Sequence, residues 1–191
     1  MITLDQIKQN CDLRKVKTIL EVGTGRGDLA EAILRNQRAE GVAECKYYGF
    51  DLWEDFGPEI PGGYEVPEHE KVYVTDVNTK LKNINTNVQL LKGRSVDTLA
   101  GFANTNTETL DLVIINGSPL HQDIHKDFFL TNPFYRNGTV VFFDYADKDA
   151  KQIVDELEFY NPKMLNETVA CITWKEEGEG PIEFISEPGP V

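Results

Sequence analysis

The chain has 191 residues, enough for one domain with a substantial core. Its 32 acidic and 19 basic residues leave a net charge of −13 and no basic stripe, which disfavours a nucleic-acid substrate, because phosphate contacts supply most of that affinity. No run approaches the ~18 apolar residues of a membrane span, and MITLDQIKQN lacks a signal peptide's apolar stretch, so a cytoplasmic protein with no membrane partner is expected. Cys11, Cys45 and Cys171 have no close spacing and read as buried thiols, not as a zinc ribbon or disulfide framework.

In chain order, Leu4 to Asn10 reads as a short leading helix and Thr18 to Val22 as the first apolar strand. That strand carries an acid, Glu21, and runs into Gly23-Thr24-Gly25-Arg26-Gly27 and then an amphipathic helix from Asp28 to Gln37. Alternate glycines let the backbone adopt φ > 0 and let a ligand approach where a Cβ would collide. The unpaired N–H groups opening the helix would face that ligand. The strand Lys46 to Phe50 leads to a second acid, Asp51, roughly the ~20 or more residues on at which a ribose-binding carboxylate is expected. A long irregular stretch follows, LWEDFGPEIPGGYEVPEHE, of a length that is either functional or disordered.

Helices are then expected at Lys71 to Lys82, Val96 to Ala103, His121 to Leu130 and Lys148 to Tyr160, alternating with strands at Val88 to Lys92, Leu112 to Ile115 and Thr139 to Phe143. This rhythm is that of a single α/β domain with a parallel sheet. After Tyr160 it changes: MLNETVACITW and PIEFIS are strand-like runs joined by a Gly-rich acidic turn, which reads as an antiparallel hairpin at the sheet edge. Strands and hairpin together give a mostly parallel seven-stranded sheet with a C-terminal antiparallel hairpin.

The glycine spacing bears on the ligand. A dinucleotide fingerprint is G-x-G-x-x-G with a pyrophosphate at the helix N-terminus. Here it is G-x-G-x-G after an acid, and Glu21 would repel a pyrophosphate yet could pair with a cation, directly or through water. The E-x-G-x-G-x-G pattern resembles the first motif of class I S-adenosylmethionine-dependent methyltransferases, whose cofactor carries an ammonium and a sulfonium. That resemblance implies a Rossmann-like sandwich with Glu21, Gly23, Thr24, Gly25 and Gly27 at the cofactor, Asp51 on the ribose, and Leu52 and Trp53 beside it. Trp53 and Phe56 would stack on the cofactor or pack under the loop.

GFDLWEDFGPEIPGGY, LLKGRSVDTLAGF and DLVIINGSPLHQDIHKDFFLTNPFYRNGTVVFFDYAD resemble, more narrowly, segments of the macrocin O-methyltransferase family, which methylates sugar hydroxyls. The resemblance implies that Gly93, Arg94 and Ser95 wrap the adenine, Ser95 hydrogen-bonding it or capping the next helix. It also implies a Mg²⁺ site, with two departures. The family's I-D-G is Ile115-Asn116-Gly117 here, and its D-D-Y is Phe143-Asp144-Tyr145. Asn116 and Asp144 keep oxygen donors whereas Phe143 offers none, so metal affinity is expected to be weakened or lost.

Without a metal, the acceptor hydroxyl needs a base. His121, opening the helix after the fourth strand, is the expected base, with Asp144 orienting it or binding acceptor hydroxyls; a capping or solvent-exposed His121 is the other reading. His121 and His125 are also spaced i, i+4, as a zinc pair would be, without an evident third ligand. The leading expectation is a small-molecule O-methyltransferase with a sugar-like acceptor. A degenerate cofactor-binding module and a nicotinamide-dependent oxidoreductase are the alternatives. The chain is also short at its N-terminus beside this family, where a long segment often builds the acceptor lid and the oligomer contact, so acceptor and homo-oligomer formation stay open.

Overall fold

The structure is a computed structural model describing residues 1–42, 44–60, 63–118, 121–144 and 155–175. Strands β1 (Thr18–Val22), β2 (Lys46–Asp51), β3 (Val88–Lys92), β4 (Leu110–Ile115), β5 (Tyr135–Asp144), β6 (Lys163–Met164) and β7 (Val169–Thr173) form one sheet in the order β3-β2-β1-β4-β5-β7-β6. The first five run parallel to one another, β7 runs antiparallel to β5, and β6 antiparallel to β7. Strand order reverses between β1 and β4, so the crevice where such sheets bind ligands opens beyond the carboxyl ends of these strands.

The central strands are apolar on both sides because helices cover both faces. On one face α1 (Leu4–Asn10), α2 (Asp28–Ala39) and α3 (Val74–Lys82) pack Ile7, Ile33, Leu34 and Leu81 against Ile19, Tyr47, Leu112 and Phe142. On the other, α4 (Ser95–Thr105) and α5 (His121–Thr131) pack Leu99, Phe102, Ile124 and Phe128 against Leu20, Phe50, Val113 and Phe143. At the opposite, amino-terminal edge, the Asp111 carboxylate accepts the Lys17 and Thr18 N–H groups at 2.7 and 3.1 Å and pairs with Arg136, fixing the starts of β1, β4 and β5 relative to one another.

Several boundaries differ from the sequence expectation. Helix α3 starts at Val74, not Lys71, because residues 71–73 are not helical, Tyr73 being extended, and the Val74 N–H is held by the Glu54 carboxylate at 3.0 Å. The expected hairpin is built differently. Within MLNETVACITW the chain reverses at Asn166, whose side chain accepts the Thr168 N–H at 2.8 Å, so β7 returns between β5 and β6. The second expected leg, PIEFIS, lies outside the described residues. So does most of the helix expected from Lys148, of which the end, Glu158–Tyr160, is a 3-10 turn. Among the described residues no helix is long and apolar enough to cross a membrane.

Candidate functional site

The turn after β1 is fastened on both sides. Gly23 and Thr24 N–H groups donate to the Phe50 carbonyl at 2.8 and 3.3 Å, and Asn116 N–H donates to the Val22 carbonyl at 2.8 Å. Gly23 has φ +85°, and a Cβ there would stand 2.2 Å from the Asn116 carbonyl oxygen, so only glycine fits. Gly27, also left-handed, precedes α2 and donates to the Thr24 carbonyl at 2.8 Å. Gly25 is the contrast: φ is +52° and a Cβ would meet nothing within 4 Å.

Asp51, at the end of β2, joins three segments. Its Oδ2 accepts the Gly25 N–H at 2.6 Å, its Oδ1 the Trp53 N–H at 3.0 Å, and its carbonyl the Gly93 N–H at 2.9 Å. The Trp53 indole N–H donates to the Gly25 carbonyl at 2.9 Å. A cavity of about 280 Å³ opens here, with Gly25, Arg26, Asp51, Trp53, Phe56 and Tyr64 among its lining. Trp53 is only 4% exposed, so it packs beneath the loop instead of offering an open ring. The loop is ordered near its ends by 3-10 turns at Trp53–Asp55 and Glu68–Glu70, and Phe56 meets Tyr64 edge to face at 5.3 Å. Lys92 bridges Glu54 and Asp55 at 2.7 and 2.8 Å, holding the Glu54 carboxyl down to about 2.

Glu21 departs from the expectation of a carboxylate facing a ligand's cation. It is 1% exposed, beneath the turn, and accepts a hydrogen bond from the Tyr47 hydroxyl, which lies 3.4 Å from Thr24 Oγ1. Burial pushes the Glu21 carboxyl up to about 8, the Tyr47 bond opposing and the Asp51 charge adding to it, and Tyr47 is itself raised well above its ordinary range by burial. Gly49 pairs with Glu21 across the β1–β2 ladder, and a Cβ there would stand 2.6 Å from Thr24 Oγ1. The sequence signal for this cluster was a tyrosine and a glycine two apart in an otherwise apolar strand.

At the start of α4, Arg94, not Ser95, is the N-cap, with no side-chain cap bond; the capping role open to Ser95 is not the one it takes. A residue the sequence reading missed, Asp127 on α5, is 1% exposed, and among the described residues no donor meets either carboxylate oxygen in good hydrogen-bond geometry, the Ser95 hydroxyl lying nearby. Burial pushes it up to about 7, the nearby Ser95 hydroxyl offsetting part of this and Asp123 adding to it. Nothing in the spacing of HQDIHKDFF distinguished it from a surface aspartate, because its burial follows from how α5 leans on α4.

Asn116 and Asp144 end adjacent strands on one face of the sheet, continuing the Ile114–Phe142 register. Asp144 is buried, and its Oδ2 accepts both the Met1 amino group and the Ile2 N–H at 3.0 Å. The amino-terminal segment, not an acceptor or His121, thus covers the carboxylate expected to do chemistry. Phe143 points to the other face, packed 5.6 Å from Phe128 in the core. One amide oxygen and one carboxylate whose Oδ2 already holds two N–H donors do not meet the oxygen-rich octahedral demand of Mg²⁺. Among the described residues no group of three or more His, Cys, Asp or Glu could hold a metal ion, and the residues present do not fit one. His121 opens α5, and its side chain lies outside the described residues. His125, spaced i, i+4 from it, sits against Phe129 at 4.6 Å with Nε2 3.7 Å from Glu156.

A family model described as a methyltransferase domain matches residues 20–145. Among solved structures, the O-methyltransferase NovP superposes with a TM-score of 0.69 at 18% identity, covering 90% of this chain and 79% of that one. The calicheamicin methyltransferase CalS11 gives 0.65 at 16%, covering 89% and 76%. TomG from Streptomyces achromogenes, an O-methyltransferase of tomaymycin synthesis in complex with SAM, gives 0.60 at 16%, covering 91% and 81%. No curated protein sequence matches the chain.

Proposed function

Because the chain belongs to the methyltransferase domain family, we propose that it is an S-adenosylmethionine-dependent O-methyltransferase acting on a small, hydroxylated, sugar-like acceptor. The observation that carries this reading is the Asp51 corner. A carboxylate fixed by two backbone N–H groups keeps lone pairs free for a ribose diol, beside a glycine whose Cβ space is empty. CalS11, also described as a TDP-rhamnose 3'-O-methyltransferase, supports a sugar-like acceptor.

When bound, the cofactor supplies a methyl group activated by a sulfonium. The chain's own part is to align and to move one proton. Asp51 accepts the ribose hydroxyls, with Leu52 and Trp53 behind it. Gly23, Thr24, Gly25 and Gly27 give the close backbone approach. Gly93, Arg94 and Ser95 border the adenine, and Asn116 stands at the turn's far side. Glu21 acts from beneath, through Tyr47 and Thr24, shaping the turn. His121 would take the acceptor hydroxyl's proton, and the methyl group would come from the bound cofactor. The cover over Asp144 favours one second reading, a module that holds the cofactor without transfer.

Calorimetric titration of S-adenosylmethionine into the wild type and Asp51→Ala tests the cofactor site. Micromolar binding lost in the variant supports it, and no binding by the wild type overturns it. Release of S-adenosylhomocysteine with a panel of sugars and polyols separates the two readings, since the cofactor-holding module releases none.

A further inference from the structure

We propose that Trp53 is a positioning residue for cofactor selectivity, acting through the Gly25 peptide and the Asp51 carboxylate and not by stacking; the inference rests on the proposed cofactor site. Three hydrogen bonds close a ring among these residues. Gly25 N–H donates to Asp51 Oδ2 at 2.6 Å, Trp53 N–H to Asp51 Oδ1 at 3.0 Å, and the Trp53 indole N–H to the Gly25 carbonyl at 2.9 Å. The same tryptophan therefore holds one carboxylate oxygen with its backbone and, with its side chain, the peptide next to the one that holds the other.

The backbone at this position is strained. Trp53 has φ +47°, a region that a bulky L-residue rarely adopts, and a cost of this kind persists only where the surroundings over-determine it. What over-determines it here is visible. The left-handed φ swings the indole under the glycine turn, where it is 4% exposed, while the Trp53 N–H is held by the carboxylate of Asp51 two residues back. No side chain at Gly25 packs to limit the rotational freedom of its carbonyl-bearing peptide, since a Cβ there would meet nothing within 4 Å. The indole removes that freedom. With both peptide and carboxylate held, the Asp51 oxygens keep one orientation in which their remaining lone pairs can accept two hydrogen bonds from a vicinal diol. Preorganisation of this sort lowers the ordering cost of binding without adding a contact to the ligand.

The consequence is specific to the ribose hydroxyls. Loss of the indole N–H weakens binding of a ribose-bearing ligand and leaves a ligand without the diol almost unaffected, whereas a merely structural loss weakens both alike. The probes are S-adenosylhomocysteine and its 2',3'-dideoxy analogue, titrated by calorimetry into the wild type and Trp53→Phe. A second form carries 3-benzothienylalanine at position 53, which keeps the bicyclic shape and lacks only the N–H donor. The wild type is expected to prefer the ribose ligand by at least about tenfold, and both altered forms to bring that ratio down toward one, the effect of one or two lost hydrogen bonds. An unchanged ratio in the benzothienyl form overturns the role of Trp53 while leaving the cofactor site standing. Failure of the wild type to bind either ligand overturns the cofactor site itself, so the two failures are distinct.

Discussion

The Tyr47 hydroxyl donates to the Glu21 carboxyl beneath the glycine turn, in a place where neither side chain reaches solvent. Because burial raises Glu21 from 4.5 to about 8, the folded state holds a proton that the unfolded chain has released between those values. Stability contributed by this group is therefore full below about pH 4.5 and lost as pH rises toward 8, a fall of roughly 3–5 kcal/mol at most by the linkage relation. Glu21→Gln, whose amide imitates the neutral carboxyl, is expected to flatten that slope and to be the more stable form at pH 8. Denaturant unfolding of both proteins across pH 5 to 8.5 checks this.

Asp127 makes the same kind of prediction from the other side of the sheet. Its carboxyl is raised from 3.8 to about 7 by burial, so its contribution also declines as pH rises through that window. Asp127→Asn should raise the melting temperature at pH 8 and change it little near pH 4. An unchanged melting temperature at pH 8 would mean that the carboxylate has found partners in solution. With Glu21→Gln added, the pH profile should be the flattest of the four proteins.

Gly23 and Gly25 are two residues apart and should behave oppositely. A methyl at Gly23 collides with the Asn116 carbonyl, so Gly23→Ala is expected to cost at least about 3 kcal/mol or to abolish soluble expression. A methyl at Gly25 meets no protein atom, so Gly25→Ala should lose only about 1 kcal/mol from its positive φ, a few degrees in melting temperature. It should nevertheless weaken S-adenosylmethionine binding by about tenfold or more, because the methyl enters the ligand's space. Thermal melting and calorimetry on the two variants separate the fold from the site.

The donor set around Asp144 predicts indifference to divalent metal. Asn116 and a carboxylate occupied by the Met1 and Ile2 nitrogens do not make an octahedral oxygen site. Chelation with EDTA should change neither S-adenosylmethionine affinity nor the rate of S-adenosylhomocysteine release, and added Mg²⁺ should restore nothing. A rate that falls with EDTA and returns with Mg²⁺ would show that the amino-terminal segment yields Asp144 to a cation.

Much of the architecture was legible in the sequence, because it depends on local pattern. β1 and β3 were read to the residue, since each is a short apolar run bounded by turn residues. The glycine turn and Asp51 were legible as well, because their spacing alone brings a strand end, a helix start and a carboxylate to one edge. The β6–β7 reversal was not. MLNETVACITW reads as one strand, and only the Asn166 side chain and the pairing of Val169–Thr173 with β5 decide where it breaks.

At the level of the site, the residue types and their order determined which side chains could serve a nucleoside cofactor. Their surroundings were settled only by tertiary packing. Glu21 and Asp127 are carboxyls that sequence treats as charged, and the fold buries both, because the charge state of a carboxyl depends on the solvent and partners that remote segments leave it. Trp53 reads as an aromatic that stacks on the cofactor or packs under the loop, and the fold packs it there and also makes it a hydrogen-bond donor to Gly25. Asp144 reads as open to a metal or an acceptor, yet the chain's first two residues, 142 positions away from it at Ile2, close over it. Spacing along a chain encodes which residues can share an edge, and only long-range contacts decide which way each one faces once it is there.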